Sequence, residues 1–317
     1  MKKGNAVLTI LLLCTVLVAA CGQGATARAT PGGDKIKVLA IESFLADIAQ
    51  NVAGDILDVG ALIPIGVDPH SFQPTPRDVA KVTESDVLIV NGAGFEGFLE
   101  ELLQNAGGTH QAIEAAAGLT SRSAREGETA VMSGEGSKIH DAGDPHFWLD
   151  PHLVVRYVEN IRDGLSQADP GHAEAYAANA ETYIARLQDL DTWIAAQVKQ
   201  VPEDRRLVVT NHESLGYFAD RYGFRVIGTI LPSVSSSAES SAQGLARLVD
   251  SIKATGAVAI FLETGSNSQL ARQIAQESGV KVVTELYSHS LSKADGPAPT
   301  YIDMMRYNAM TIVNAIK

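Results

Sequence analysis

The sequence predicts an α/β protein built as two lobes, each a parallel β-sheet flanked by helices, joined by one long rigid helix. Short continuous apolar runs alternate with amphipathic stretches, the pattern of parallel strands covered by helices on both faces. The pattern occurs twice: Lys37 to Asp47 followed by Ile56 to Pro64 is echoed by Arg206 to Gly216 followed by Phe224 to Pro232. Between the copies, Tyr176, Ala180, Tyr183, Leu187, Leu190, Ile194, Val198 and Val201 recur at spacings of three and four, one stripe of a single helix.

Residues 1–20 read as a signal peptide. Lys2 and Lys3 precede an apolar stretch from Ala6 to Ala20, shorter than the roughly 20 residues a helix needs to cross a bilayer. Small residues, Ala19 and Ala20, stand before Cys21, so cleavage would leave that cysteine at the N-terminus carrying lipid. Residues 21–34 then form a lipidated N-terminus and a flexible tether, small, polar and rich in glycine and threonine. The other cysteine, Cys14, lies in the removed segment, so neither a disulfide nor a cysteine metal ligand is expected. Cleavage removes two of the 25 basic residues and none of the 37 acidic ones, making the charge more negative than −12. Such a balance makes nucleic acid an improbable partner and favours solubility.

The N-terminal lobe is expected over 35–168 and the C-terminal lobe over 202–317, each as β-α-β-α-β. Thr75 to Lys81 and Val87 to Asn91 in the first correspond to Ser241 to Arg247 and Val258 to Leu262 in the second. The linking helix is expected over 169–201, with Asp169 as its N-cap and Pro170 at its first position. At 1.5 Å per residue it would measure about 45 Å and tie the lobes side by side. Thr120 to Gly143 is polar, glycine-rich and without period, the composition of a mobile loop.

Chemistry enters with the histidines. Asp68-Pro69-His70 and Asp144-Pro145-His146 repeat one tripeptide at places where a strand-like run gives way to a turn. Proline fixes its own φ and keeps the residue before it out of helical geometry, so each imidazole is held on a stiff loop. The alternative is a pair of capped surface turns. His212 and His289 also follow apolar runs, Leu207 to Asn211 and Val280 to Tyr287. Parallel sheets bind ligands beyond the carboxyl ends of their strands, so these four share one rim. Four neutral imidazoles would complete a tetrahedral zinc shell. His110, His140, His152 and His172 are assigned to solvent or local capping, although His140 in the loop could feed metal to the cleft.

At these residues the chain resembles the cluster A-I metal-binding lipoproteins, solute-binding components of zinc and manganese ABC importers. The resemblance spans essentially the whole mature chain. It rests on Asp68 to Asp78, on Asp144 to Pro151, on His212 to Phe218 and on Pro299 to Asn308. It implies that His70 and His146 are ligands. His212 then matches a position that is histidine in zinc-type members and often glutamate in manganese-type ones. The family's fourth ligand is usually an aspartate in a Thr-Asp-Ser-Leu-like segment; here that segment is Tyr287 to Leu291, and His289 stands in the aspartate's place. If His289 does not ligate, Glu285, Glu263 or water would complete the shell.

Asp68 and Asp144 would orient the imidazoles or cap the turns. The implied cargo is Zn2+, with Mn2+ as alternative, since carboxylate and water suit the harder ion better than an all-nitrogen shell does. The implied protein is a monomer, exported and held by lipid at the outer face of the cytoplasmic membrane or in the periplasm, delivering metal to an importer's permease. Rival readings are a zinc-dependent hydrolase, with Glu213 beside His212 as general base, and a surface adhesin; no His-Glu-x-x-His helix supports the first.

Overall fold

The computed structural model describes residues 36–108, 110–122, 143–231, 233–236 and 239–317. The signal peptide, Cys21, the tether, His140 and most of the stretch from Thr120 to Gly143 lie outside them.

Two four-stranded parallel sheets carry the fold. The first contains β1 (Val38–Ala40), β2 (Val59–Ala61), β3 (Val87–Val90) and β4 (Gln111–Glu114), in the order β2-β1-β3-β4. The second contains β5 (Leu207–Thr210), β6 (Arg225–Thr229), β7 (Ala259–Glu263) and β8 (Lys281–Leu286), in the order β6-β5-β7-β8. The internal echo is thus a repeated topology. Each half is one strand longer than β-α-β-α-β. The first half's extra strand, β4, reads Gln-Ala-Ile-Glu and buries only Ile113, too weak an apolar run to announce itself.

Helices follow the strands: α1 (Ser43–Ala53), α2 (Pro76–Thr83) and α3 (Leu99–Ala106) in the first half, α6 (Gly216–Tyr222), α7 (Ala242–Thr255) and α8 (Gln269–Ser278) in the second. Their starts are written locally. Thr75 and Asp78 form a reciprocal capping box with Pro76 at N1, and Ser241 accepts from Gly244 N.

One long helix joins the halves, as expected, but it is shorter than 169–201. Helix α4 (Pro151–Ala168) ends at Asp169, Pro170–His172 forms one 3-10 turn, and α5 runs from Ala173 to Val198. Pro170 has no N–H to continue α4, which forces the break. Asp169 caps no backbone group of α5; its Oδ2 accepts from Tyr176 Oη and lies 2.7 Å from His172 Nδ1. At 1.5 Å per residue α5 is about 39 Å long. Its stripe holds as drawn, since Tyr176, Tyr183, Leu187, Leu190 and Ile194 are all buried.

The last helix, α9 (Tyr301–Ile316), returns to the first half: Tyr301 N donates to Asp47 Oδ2 and Tyr301 Oη to the carbonyl of Trp148. One apolar core therefore contains Val38 and Val87 from the first sheet, Val208 and Phe261 from the second, and the buried faces of α5 and α9. Burying each such side chain contributes about 1.5–3 kcal/mol. Among the described residues no helix is long and apolar enough to cross a membrane.

Candidate metal centre

The four rim histidines converge. One nitrogen from each of His70, His146, His212 and His289 lies within 4.8 Å of the other three. Zinc–nitrogen bonds of 2.0–2.1 Å in a tetrahedron set donors about 3.3–3.4 Å apart. His146 Nε2 and His289 Nε2 are already 3.3 Å apart.

Each imidazole is held differently. Pro69–Ser71 is one 3-10 turn in which Asp68 Oδ1 accepts from His70 N at 3.0 Å. Asp144 Oδ1 takes both His146 N at 3.0 Å and His146 Nδ1 at 2.9 Å, which fixes the tautomer and bares Nε2. The following 3-10 turn, Phe147–Leu149, is fully buried. Within it, Trp148 stacks on Phe44 with ring centres 4.5 Å apart and donates Nε1 to the carbonyl of Ser288 in the second half.

His212 lies two residues past β5, and Thr210 Oγ1 donates to its carbonyl. Because β5 pairs with β7, Glu263 at the end of β7 reaches His212, with Oε1 3.1 Å from Nδ1; Ser214 Oγ donates to the same oxygen. His212 Nε2 is buried without a hydrogen bond. An orphaned buried acceptor costs about 1–3 kcal/mol, and a bound cation would satisfy it. His289 lies three residues past β8 with Ser288 Oγ 3.0 Å from Nδ1, so a proton on Nδ1 would leave Nε2 free to ligate.

Charge follows the contacts. Burial, reinforced by the neighbouring His212, drives His146 well below the ordinary imidazole pKa, and burial with the other three histidines does the same to His289. Both are neutral, as ligands must be. Burial also pulls on His212, but the Glu263 carboxylate outweighs it and holds the pKa above the ordinary value. Burial pushes Asp144 up to about 7 against the pull of His146 N–H and Arg122. Cavities of about 260 Å3, lined by Asp68, His212, Glu263 and His289, and about 540 Å3, lined by His70, Phe72 and Phe95, adjoin the cluster.

Glu285 is not brought there: it is exposed on β8 and accepts from Tyr307 Oη. The remaining described histidines stand apart. His110 sits with its ring nitrogens 3.0 and 2.9 Å from the carbonyls of Ser85 and Gly107, His172 pairs with Asp169, and His152 is exposed. Asp150-Pro151-His152 is a third copy of the tripeptide, and His152 N donates to Asp150 Oδ1 in the same turn, yet this copy opens α4. Phe95, edge-on to His70 at 5.0 Å, went unnoticed in the sequence. Its signal was Asn91-Gly92-Ala93-Gly94 directly after β3, a rim loop in which Ala93 has φ 52°.

The model of a family of periplasmic zinc-uptake complex components, ZnuA, matches residues 38–315. The chain belongs to the ZnuA family. Its relatives include the manganese-binding lipoprotein MntA of Halalkalibacterium halodurans, 33% identical with 97% of each chain covered. The iron-binding protein YfeA of Yersinia pestis is 31% identical, over 88% of this chain and 85% of its own. Among solved structures, the periplasmic zinc-binding protein TroA of Treponema pallidum superposes with a TM-score of 0.77 at 26% identity, covering 89% of this chain and 99% of that one. ZnuA-family proteins are substrate-binding components of ABC transporters, not enzymes, which sets aside the hydrolase. The three relatives are named for three different metals, so membership alone does not choose the cargo.

Proposed function

We propose that this protein captures zinc outside the cytoplasmic membrane and delivers it to the permease of an ABC importer. His70, His146, His212 and His289 are the four ligands, and residues 35–168 and 202–317 act as lobes. Lipid on Cys21 tethers the chain, which works as a monomer. The observation that carries the reading is the donor set: four imidazoles cluster, while Asp144 and Glu263 engage the far nitrogens of His146 and His212 rather than joining the cluster. An all-nitrogen shell suits zinc and disfavours manganese, which prefers oxygen donors.

Manganese is the competing cargo, supported by the 33% identical relative named for it and by Glu263, a carboxylate beside the cluster. Competitive metal titration of residues 22–317, with elemental analysis of the protein as purified, separates the two. Zinc displacing a hundredfold excess of manganese is the expected result; manganese retained against equimolar zinc would refute the zinc reading. Copper and nickel also bind such donors tightly, so the titration includes them.

A further inference from the structure

We propose that Arg122 is a positioning residue that locks His146 to the second half of the molecule and so slows release of bound metal. The proposal rests on the four-histidine site. Asp144 orients His146 through Oδ1, and its buried Oδ2 faces Arg122 Nη1 at 3.8 Å. The Arg122 side chain is only 10% exposed. Its other edge reaches across to α6, donating Nε to Asp220 Oδ2 at 3.0 Å and Nη2 to Asp220 Oδ1 at 3.5 Å. Such a fork holds the guanidinium in one plane.

Helix α6 grips the same place through a second residue. Arg122 N donates to Tyr217 Oη at 3.0 Å, and Tyr217 Oη donates to the carbonyl of Asp144 at 2.7 Å. The first residue of α6 completes the seat. A Cβ on Gly216 would stand 2.3 Å from Arg122 Nη1 and 2.6 Å from Cζ, closer than atoms approach. The φ of Gly216 is not in the left-handed region, so the backbone would accept alanine, and it is the guanidinium that would have to shift.

His146 is thus fixed by a carboxylate that is itself held from the opposite half. Removing the Arg122 side chain leaves Asp144 buried with less compensating charge and leaves Tyr217 as its remaining tie to α6. His146 would then swing away from the metal more easily.

The test compares Arg122→Ala, Arg122→Lys, Gly216→Ala and the double variant Arg122→Ala/Gly216→Ala. Zinc release is timed with an excess of chelator, the visible spectrum of the cobalt(II)-loaded protein reports ligand geometry, and thermal unfolding of the metal-free protein reports packing. Arg122→Ala and Gly216→Ala should each speed release about tenfold and alter the cobalt spectrum, in keeping with the effect of outer partners on metal sites. Arg122→Lys, which keeps the charge without the fork, should lie between. The double variant should release no faster than Arg122→Ala alone, because the clash partner is gone. Unchanged release and spectrum with only a lower unfolding temperature would overturn the proposal, as would additive effects in the double variant. His146→Ala is run alongside: if it holds zinc as well as the wild type, the metal site itself is wrong, a failure distinct from that of Arg122.

Discussion

In the first half of the molecule both clustered histidines follow an aspartate two residues back, with proline between; in the second half neither does. Asp68 and Asp144 hold His70 and His146 through turns closed within three residues. His212 depends on Glu263, 51 positions on, which reaches it only because β7 lies beside β5, and His289 leans on its neighbour Ser288. The sheets differ in the same sense. Pairing is regular through β1 to β4, whereas β5–β6 and β7–β8 slip register between Val208 and Val209 and between Phe261 and Glu263. The second slip lies at the residue that serves His212. Local chemistry sets one half of the site and tertiary structure the other.

The comparison can be broken most strongly at the ligands. Each of His70→Ala, His146→Ala, His212→Ala and His289→Ala should weaken zinc binding by more than about 100-fold, beyond the range seen for outer partners. Isothermal titration with a competing chelator measures this; a full-strength His289→Ala protein would show that the second half supplies one ligand, not two. Removing the orienting carboxylates is the next largest change. Asp144→Ala and Glu263→Ala should each cost about 10–100-fold in affinity. If only Asp144→Ala did so, the long-range partner would be ornamental.

The clustered histidines should also separate by pH. His146 and His289 are held low and stay neutral, whereas Glu263 raises the pKa of His212 against its burial, so of these three His212 takes the first proton as pH falls. Zinc must displace that proton. Affinity should therefore begin to fall while the pH is still above the ordinary imidazole value of about 6.5, by about tenfold per unit. Glu263→Gln lowers the pKa of His212 and should move the onset to lower pH; titrations from pH 8 to 5 decide. In the metal-free protein the His212–Glu263 pair stabilises the fold while Glu263 is ionised and His212 protonated. It loses that contribution as pH rises through the raised pKa of His212, and again in acid, where Glu263, held by His212 below the ordinary carboxylate value despite its burial, takes a proton. The smallest effect is expected at Asp68, where Asp68→Ala removes a turn cap and should cost about 1 kcal/mol in chemical denaturation.

These differences explain what the sequence could disclose. The repeated topology, the buried stripe of α5 and all four clustered histidines were legible, because apolar runs and strand ends are written locally. The tripeptide was less informative than it looked: all three copies make the same turn, but at Asp150-Pro151-His152 a helix follows and the imidazole faces water. The motif makes the turn, and the neighbouring strands decide whether the turn faces a partner. Pro170 was legible as the start of a new helix, but the 3-10 turn Pro170–His172 that delays α5 to Ala173 was not, since the apolar stripe begins only at Tyr176. Arg122 and Tyr217 left no sequence signal, because their partners lie 98 and 73 positions away.

X-ray absorption at the zinc edge of the loaded protein tests the shared four-histidine shell most directly. Four nitrogen scatterers at about 2.0–2.1 Å, with the outer-shell pattern of four imidazole rings, are expected, falling to three rings in His289→Ala. Three rings and a carboxylate oxygen in the wild type, unchanged by His289→Ala, would contradict it.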